Sequence, residues 1–184
     1  MLRLNNKWIT SNLRKHVCYA NTAPDLREYG CKRLKISSAV YDTINWKAIG
    51  KVRSTHRINK IVRISKLLFG WMPVGHNWRK CSLKSNRCPC CNIEDETFMH
   101  LFECKNKHMR QVTRSSIFAI QNHCLQASIP SPIIDALISI FEHICGYSTL
   151  RNNWTSPAIC RAVESQQQIG LHRMALGLFS IEWN

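Results

Sequence analysis

The chain has 184 residues, 45% of them apolar, which suffices to bury a core and suits one domain or a small domain with appendages. No apolar run approaches the ~18 residues of a membrane helix, and MLRLNNKWITSNLRKHV at the N-terminus lacks the apolar block of a signal peptide. An intracellular protein, nuclear or cytoplasmic and off the membrane, is therefore expected. The net charge of +15 is uneven: residues 1–87 carry 19 Lys/Arg against three acids (+16), and residues 88–184 carry seven against eight (−1). Such a basic half points to a polyanionic partner, RNA or DNA, because cations that neutralise phosphates release condensed counterions.

In chain order, residues 1–24 are polar, basic and weakly periodic, and are expected as a poorly ordered basic arm. A helix is predicted over Asp25–Ile36, with Asp25 as its cap. Residues Thr43–Phe69 read as mostly helical, with a break near Gly50. There Ile58, Ile61, Val62, Ser65, Leu68 and Phe69 share one face, and Arg53, Arg57, Lys60 and Arg63 share the opposite one. Gly70, Pro73 and Gly75 end that helix and begin a turn-rich stretch holding Trp71, Trp78, Arg79, Lys80, Lys84 and Arg87. Helices follow over Lys107–Ala127, from Ser131-Pro132 to Gly146, and from Ser156-Pro157 toward Trp183. The class is mainly α, a small helical domain with a zinc-knuckle (Cys-Cys-His-Cys) insert. Residues 25–106 hold the basic helices and the finger, and residues 107–184 form the helical C-terminal part of the same domain.

Ten cysteines are many for this length. Without an export signal a disulfide frame is not expected, and Cys124, Cys145 and Cys160 sit in helical apolar patterns as reduced core thiols. The group Cys88-x2-Cys91-x8-His100-x3-Cys104 is different. A Cys-x-x-Cys turn aims two sulfurs at one point, and His-x-x-x-Cys on a helix places two more donors on one face. The expected cofactor is a structural Zn2+ held by Cys88, Cys91, His100 and Cys104. All four positions would be filled by protein, leaving none open for catalysis. Cys90 inside the turn is read as a spectator; Cys81 before it and His108 after it leave the register open. Glu94, Asp95, Glu96 and Glu103 make the knuckle acidic, so phosphate contacts are expected from the basic helix and loop before it: Arg53, Arg57, Lys60, Arg63, Arg79, Lys80, Lys84 and Arg87. Trp46, Trp71 and Trp78 are expected chiefly as packing residues.

The pattern Cys88-Pro89-x-Cys91, Glu96, His100, Cys104 resembles the zinc-binding region that follows reverse transcriptase in non-viral retroelement polyproteins. Lys66-Leu-Leu-Phe-Gly-Trp-Met-Pro-Val74 is similar to the helix and turn leading into that finger. Asp25-Leu-Arg-Glu-Tyr29, Ile44-Asn-Trp46, Gln168-Ile-Gly-Leu171 and Gly177-Leu-Phe-Ser-Ile-Glu-Trp183 resemble its flanks. The resemblance covers roughly residues 25–184 and implies a nucleic-acid-associated role, with contact to a reverse transcriptase polypeptide as a further expectation; the filled ligand set and the lack of catalytic motifs make a non-enzymatic protein the expectation. The paired aspartates of a polymerase are absent, since Tyr41-Asp42 is followed by Thr43, and no acidic quartet suits a nuclease. The expectation is thus the post-polymerase region alone, separated, domesticated or decayed. The alternative is a protein-interaction or scaffold module with a purely structural zinc site, using the apolar helices from Ser131 onward.

Overall fold

The computed structural model describes residues 2–4, 7–9, 13–71, 74–75, 86–151 and 153–184. The fold is mainly helical. The chain divides into two compact units, Met1–Asp42 and Thr43–Asn184. Among the described residues no helix is long and apolar enough to cross a membrane.

In the first unit, β1 (Leu2–Leu4) pairs antiparallel with β2 (Lys7–Ile9), and α1 (Leu13–Leu34) and α2 (Ser38–Asp42) follow. The helix expected from Asp25 thus begins at Leu13, so the second half of the stretch read as a loose arm is helical. The preceding Leu-Arg-Lys-His-Val-Cys-Tyr-Ala run carries neither Gly nor Pro, and the backbone continues through Pro24. Proline there removes one helical N–H, which makes it look like a boundary in sequence. At the other end, Lys35 turns left-handed (φ 52°) and the Ile36 N–H donates to the Cys31 carbonyl at 3.1 Å, closing the helix before Ile36. The Arg27 guanidinium meets Asp42, holding that carboxyl below its ordinary range and tying α2 back to α1.

The second unit opens with α3 (Trp46–Ser54) and α4 (Ile58–Leu68). Asn45 caps α3, its side-chain oxygen accepting the Ala48 N–H at 3.0 Å. The interruption falls at Thr55–Arg57 and not at Gly50, which lies exposed within α3. The hydroxyls of Ser54 and Thr55 donate to the carbonyls of Lys51 and Val52, satisfying the end of α3 locally. The inward face of α4 is also rotated from expectation. Leu68 is buried and Ile61, Ile64, Ser65 and Leu67 are half-buried, while Ile58 and Val62 are exposed. Gly70 (φ 68°) then ends α4 in a left-handed turn.

Beyond the cysteine group come α5 (His100–Glu103), α6 (Lys107–Gln126), α7 (Ser131–Ile144) and α8 (Pro157–Ile169). Two 3-10 turns, Leu171–Leu176 and Ile181–Trp183, replace the expected continuation of the last helix toward Trp183. Neither Ser131 nor Ser156 makes a side-chain cap bond; Pro130 holds the N-cap position of α7, where its carbonyl accepts from Ile133 and Ile134. The core is built by Ile117 of α6, Ala136, Ile140, Phe141 and Ile144 of α7, Ile159 and Val163 of α8, and Met174.

The C-terminal tail is locked by a buried amide. Gln166 is fully buried; its nitrogen donates to the Leu178 carbonyl and its oxygen accepts the Ser180 N–H, both at 3.0 Å. So fixed, the tail pairs with the start of the unit: Asn45 N–H donates to the Phe179 carbonyl at 2.8 Å, and Ile181 N–H to Thr43 at 2.9 Å. Gln166→Leu should therefore destabilise the second unit by about 2–5 kcal/mol, since it leaves two buried backbone groups unpaired. Ile140→Val, a lost methylene in the same core, should cost only about 1 kcal/mol. Urea titration of the two variants checks the ranking.

Candidate metal centre

Residues 86–96 form a tight hairpin. Arg87 bridges Asp95, the Glu96 N–H donates to the Asn86 carbonyl at 2.7 Å, and the Cys88 N–H donates to Glu94 at 2.7 Å. Within it, Cys88-Pro-Cys-Cys91 turns through Asn92, whose φ of 56° suits an asparagine. The second pair stands on α5. Thr97 accepts the His100 N–H at 3.0 Å on its hydroxyl, and the Cys104 N–H returns to the His100 carbonyl at 2.8 Å. His100 and Cys104 are thereby stacked one turn apart on one face.

The donor atoms of Cys88, Cys91, His100 and Cys104 all lie within 4.8 Å of one another. The Cys88 and Cys104 sulfurs are 3.9 Å apart, and the Cys91 sulfur stands 3.3 Å from His100 Nε2. Tetrahedral geometry about an ion such as zinc, with bonds of about 2.3 Å to sulfur and 2.0–2.1 Å to nitrogen, requires separations of roughly 3.8 Å and 3.6 Å. The residues present therefore fit a four-coordinate metal ion. His100 Nδ1 faces the Glu94 carboxylate at 3.0 Å, which frees Nε2 as the ligand atom. Cys88, His100 and Cys104 are buried and Cys91 is half-buried, so the cluster is nearly closed to water.

Electrostatics differ from one sulfur to the next. Backbone N–H groups of Glu94 and Ile93 lower Cys91 to about 6, whereas burial pushes Cys104 up to about 11. Burial opposes the His100 imidazolium, but hydrogen bonds to Cys88, Cys91 and Glu94 outweigh it and raise the pKa.

Cys90 lies outside the cluster, its carbonyl accepting the Asn106 amide at 2.7 Å, and His108 is exposed beyond it. Cys81 lies outside the described residues. Asn106 is a connection that motif spacing did not reveal. Its oxygen also caps α6 by accepting the His108 N–H at 2.9 Å, so one side chain joins the knuckle to the next helix. Three of the knuckle's four acids are engaged locally, Glu94 on His100, Asp95 on the Asn86 amide at 2.6 Å, and Glu96 on the Gly75 N–H at 2.5 Å, while Glu103 is exposed. A side chain at position 75 would press within 3.0 Å of both Glu96 and the Asn86 carbonyl, which is why glycine fits there.

No family model, curated protein or solved structure matches the chain.

Of the expected phosphate-contacting residues, Arg53, Arg57, Lys60 and Arg63 are exposed on α3, α4 and the turn joining them. Arg87 is exposed at the base of the hairpin and reaches the Asn92 carbonyl at 3.5 Å. Arg79, Lys80 and Lys84 lie outside the described residues, as does Trp78. Trp46 is half-buried at the start of α3 and Trp71 is exposed after α4.

Metal affinity should fall at least about tenfold per pH unit on acidification from pH 8, because the Cys104 proton must leave before it ligates. The slope should steepen as the pH falls toward about 6, where His100, whose imidazolium is favoured by its hydrogen bonds, and then Cys91 also protonate; competition with a chromophoric chelator across pH reads both. Glu94→Gln should weaken metal binding by about 10–100-fold, and Glu103→Gln should leave it unchanged.

Proposed function

We propose that the protein is a non-catalytic, zinc-stabilised helical module that binds RNA or DNA without sequence preference. The observation that carries the zinc half is the closed set of three sulfurs and one imidazole, braced by a carboxylate on the far ring nitrogen. Such thiolate-rich tetrahedral sites suit zinc, and four protein ligands leave no place for a reacting water. On this reading the metal is structural, and its binding energy is folding energy for the knuckle.

The nucleic-acid half is supported by charge. Arg53, Arg57, Lys60 and Arg63 project into solvent, and none of them has a carboxylate partner among the described residues. Arg79, Lys80, Lys84 and Arg87 extend the basic stretch toward the knuckle in sequence. The resemblance to the region after reverse transcriptase in retroelements agrees with this role and adds a reverse transcriptase polypeptide as a candidate neighbour.

A second reading, a protein-interaction module with no nucleic-acid role, is favoured by an apolar groove of about 640 Å3. Val52 of α3, Ile64 and Leu68 of α4, Ile133 and Leu137 of α7, and Phe179 line it.

Fluorescence anisotropy with labelled oligonucleotides decides between the two. The leading reading expects affinity that drops steeply with salt, and a combined Arg53→Gln, Arg57→Gln, Lys60→Gln, Arg63→Gln variant whose log–log salt slope is shallower by about 3–4 on duplex DNA. Binding that is absent, or indifferent to salt, would sink it in favour of the groove. One equivalent of zinc in purified protein, lost in Cys104→Ala, tests the metal half.

A further inference from the structure

The second half of the chain is near neutral as a whole, yet its charges are not mixed. No acid occurs between Glu103 and Asp135, while Lys105, Lys107, Arg110 and Arg114 fall within ten residues. The structure gathers these four cations along one cleft of about 600 Å3, completed by Gln111 and Ser115. Every lining residue is a hydrogen-bond donor.

The two arginines are held in place. The guanidinium carbons of Arg110 and Arg114 lie 4.9 and 5.0 Å from the centre of the same Tyr147 ring. That ring is itself fixed, its hydroxyl donating to the Arg110 carbonyl at 2.8 Å and touching the Thr113 hydroxyl. Like charges one helical turn apart repel, and the aromatic ring offsets part of this. No carboxylate comes within ion-pair distance of either arginine among the described residues. Two cations positioned on one aromatic ring, with no carboxylate partner among the described residues and flanked by the exposed Lys105 and Lys107, make an oxyanion site.

We propose that this cleft is a phosphate-binding site that grips the backbone of a nucleic acid, a second contact beyond the basic face of α3 and α4. The source of the phosphate rests on the nucleic-acid reading above; the cleft's preference for phosphate does not. From Lys107 to Arg114 the helix rises about 10 Å, room for more than one phosphate group. With both guanidiniums engaged on the Tyr147 ring, the site offers charge and hydrogen bonds and no free stacking platform, so it contacts backbone and not bases.

Two probes of the full chain test this: a labelled 20-nucleotide oligo(dT), and inorganic pyrophosphate followed through the arginine side-chain NMR resonances. Pyrophosphate should shift the Arg110 and Arg114 signals. A Lys105→Gln, Lys107→Gln, Arg114→Gln variant should bind the oligonucleotide at least about tenfold more weakly at low salt, with a salt slope shallower by about 2. Lys105→Gln, Lys107→Gln alone, which removes two exposed side chains and spares the Tyr147 contacts, should keep the wild-type melting temperature and show about two-thirds of that slope change. Pyrophosphate shifts with unchanged oligonucleotide affinity in the variants would make this a site for free phosphate and overturn the nucleic-acid assignment. The absence of both effects, with no pyrophosphate shift and no change of oligonucleotide affinity in the variants, would overturn the site altogether, even if α3 and α4 still bound the oligonucleotide. Pyrophosphate binding in a protein that takes no oligonucleotide would keep the site and remove the nucleic-acid reading.

Discussion

Sulfurs brought to within bonding distance of one shared point repel one another once ionised, unless a cation stands among them. The arrangement of the second unit around its cysteines follows from that constraint. Cys91 is already biased toward thiolate by the backbone donors of its own turn, while burial makes ionisation of Cys104 unfavourable. A divalent ion bound there would reconcile the two, because it would stabilise the buried thiolate that the apolar surroundings oppose. Glu94 then completes the charge arrangement from outside, orienting the imidazole and drawing the hairpin toward α5.

The consequences spread through short connections. Asn106 joins the Cys90 carbonyl to the first turn of α6, and Phe102, packed edge-on against Phe98 at 5.1 Å between ring centres, leans on the helical core. On the other side Glu96 gathers the Gly75 backbone. The knuckle therefore fastens the segment before it and the helix after it to one small hub. At the far end of the unit Gln166 performs the corresponding service for the tail, using uncharged hydrogen bonds in a fully buried setting.

What could be read directly from the residues was what depends on near neighbours. The four donors span seventeen residues and their spacings follow turn and helix geometry, so Cys88, Cys91, His100 and Cys104 were visible as a set. The helices Lys107–Gln126 and Ser131–Ile144 were visible because their apolar periodicity is long and their ends carry turn residues. Misreadings arose where a local signal competed with another. Gly50 looked like a break and Asp25 like a cap, but neither bounds its helix, and the Ser54 and Thr55 hydroxyls mark a break that periodicity passed over. The clamp of Gln166 on residues 178 and 180 was beyond reach, because a glutamine at that position carries no pattern until the tail folds back.

Charge was the subtlest case. Averaging over residues 88–184 set the acids of the knuckle and of α7 against the lysines and arginines of α6, and the sum near zero concealed a cationic cleft. Three acids of the knuckle are separated by function as well as by sequence: Glu94, Asp95 and Glu96 are each committed to a partner within or beside the hairpin. Lys105 follows directly on Cys104 of the cluster, and Asn106 fixes the start of α6, so the last residue of the Cys/His cluster also fixes where the first cation of the cleft begins. A polyanion approaching α6 would thus meet cations whose backbone starts from the Cys/His cluster, two of them with guanidiniums held by Tyr147. Preorganisation of that kind lowers the ordering cost of contact, which a flexible basic arm would pay in full at binding.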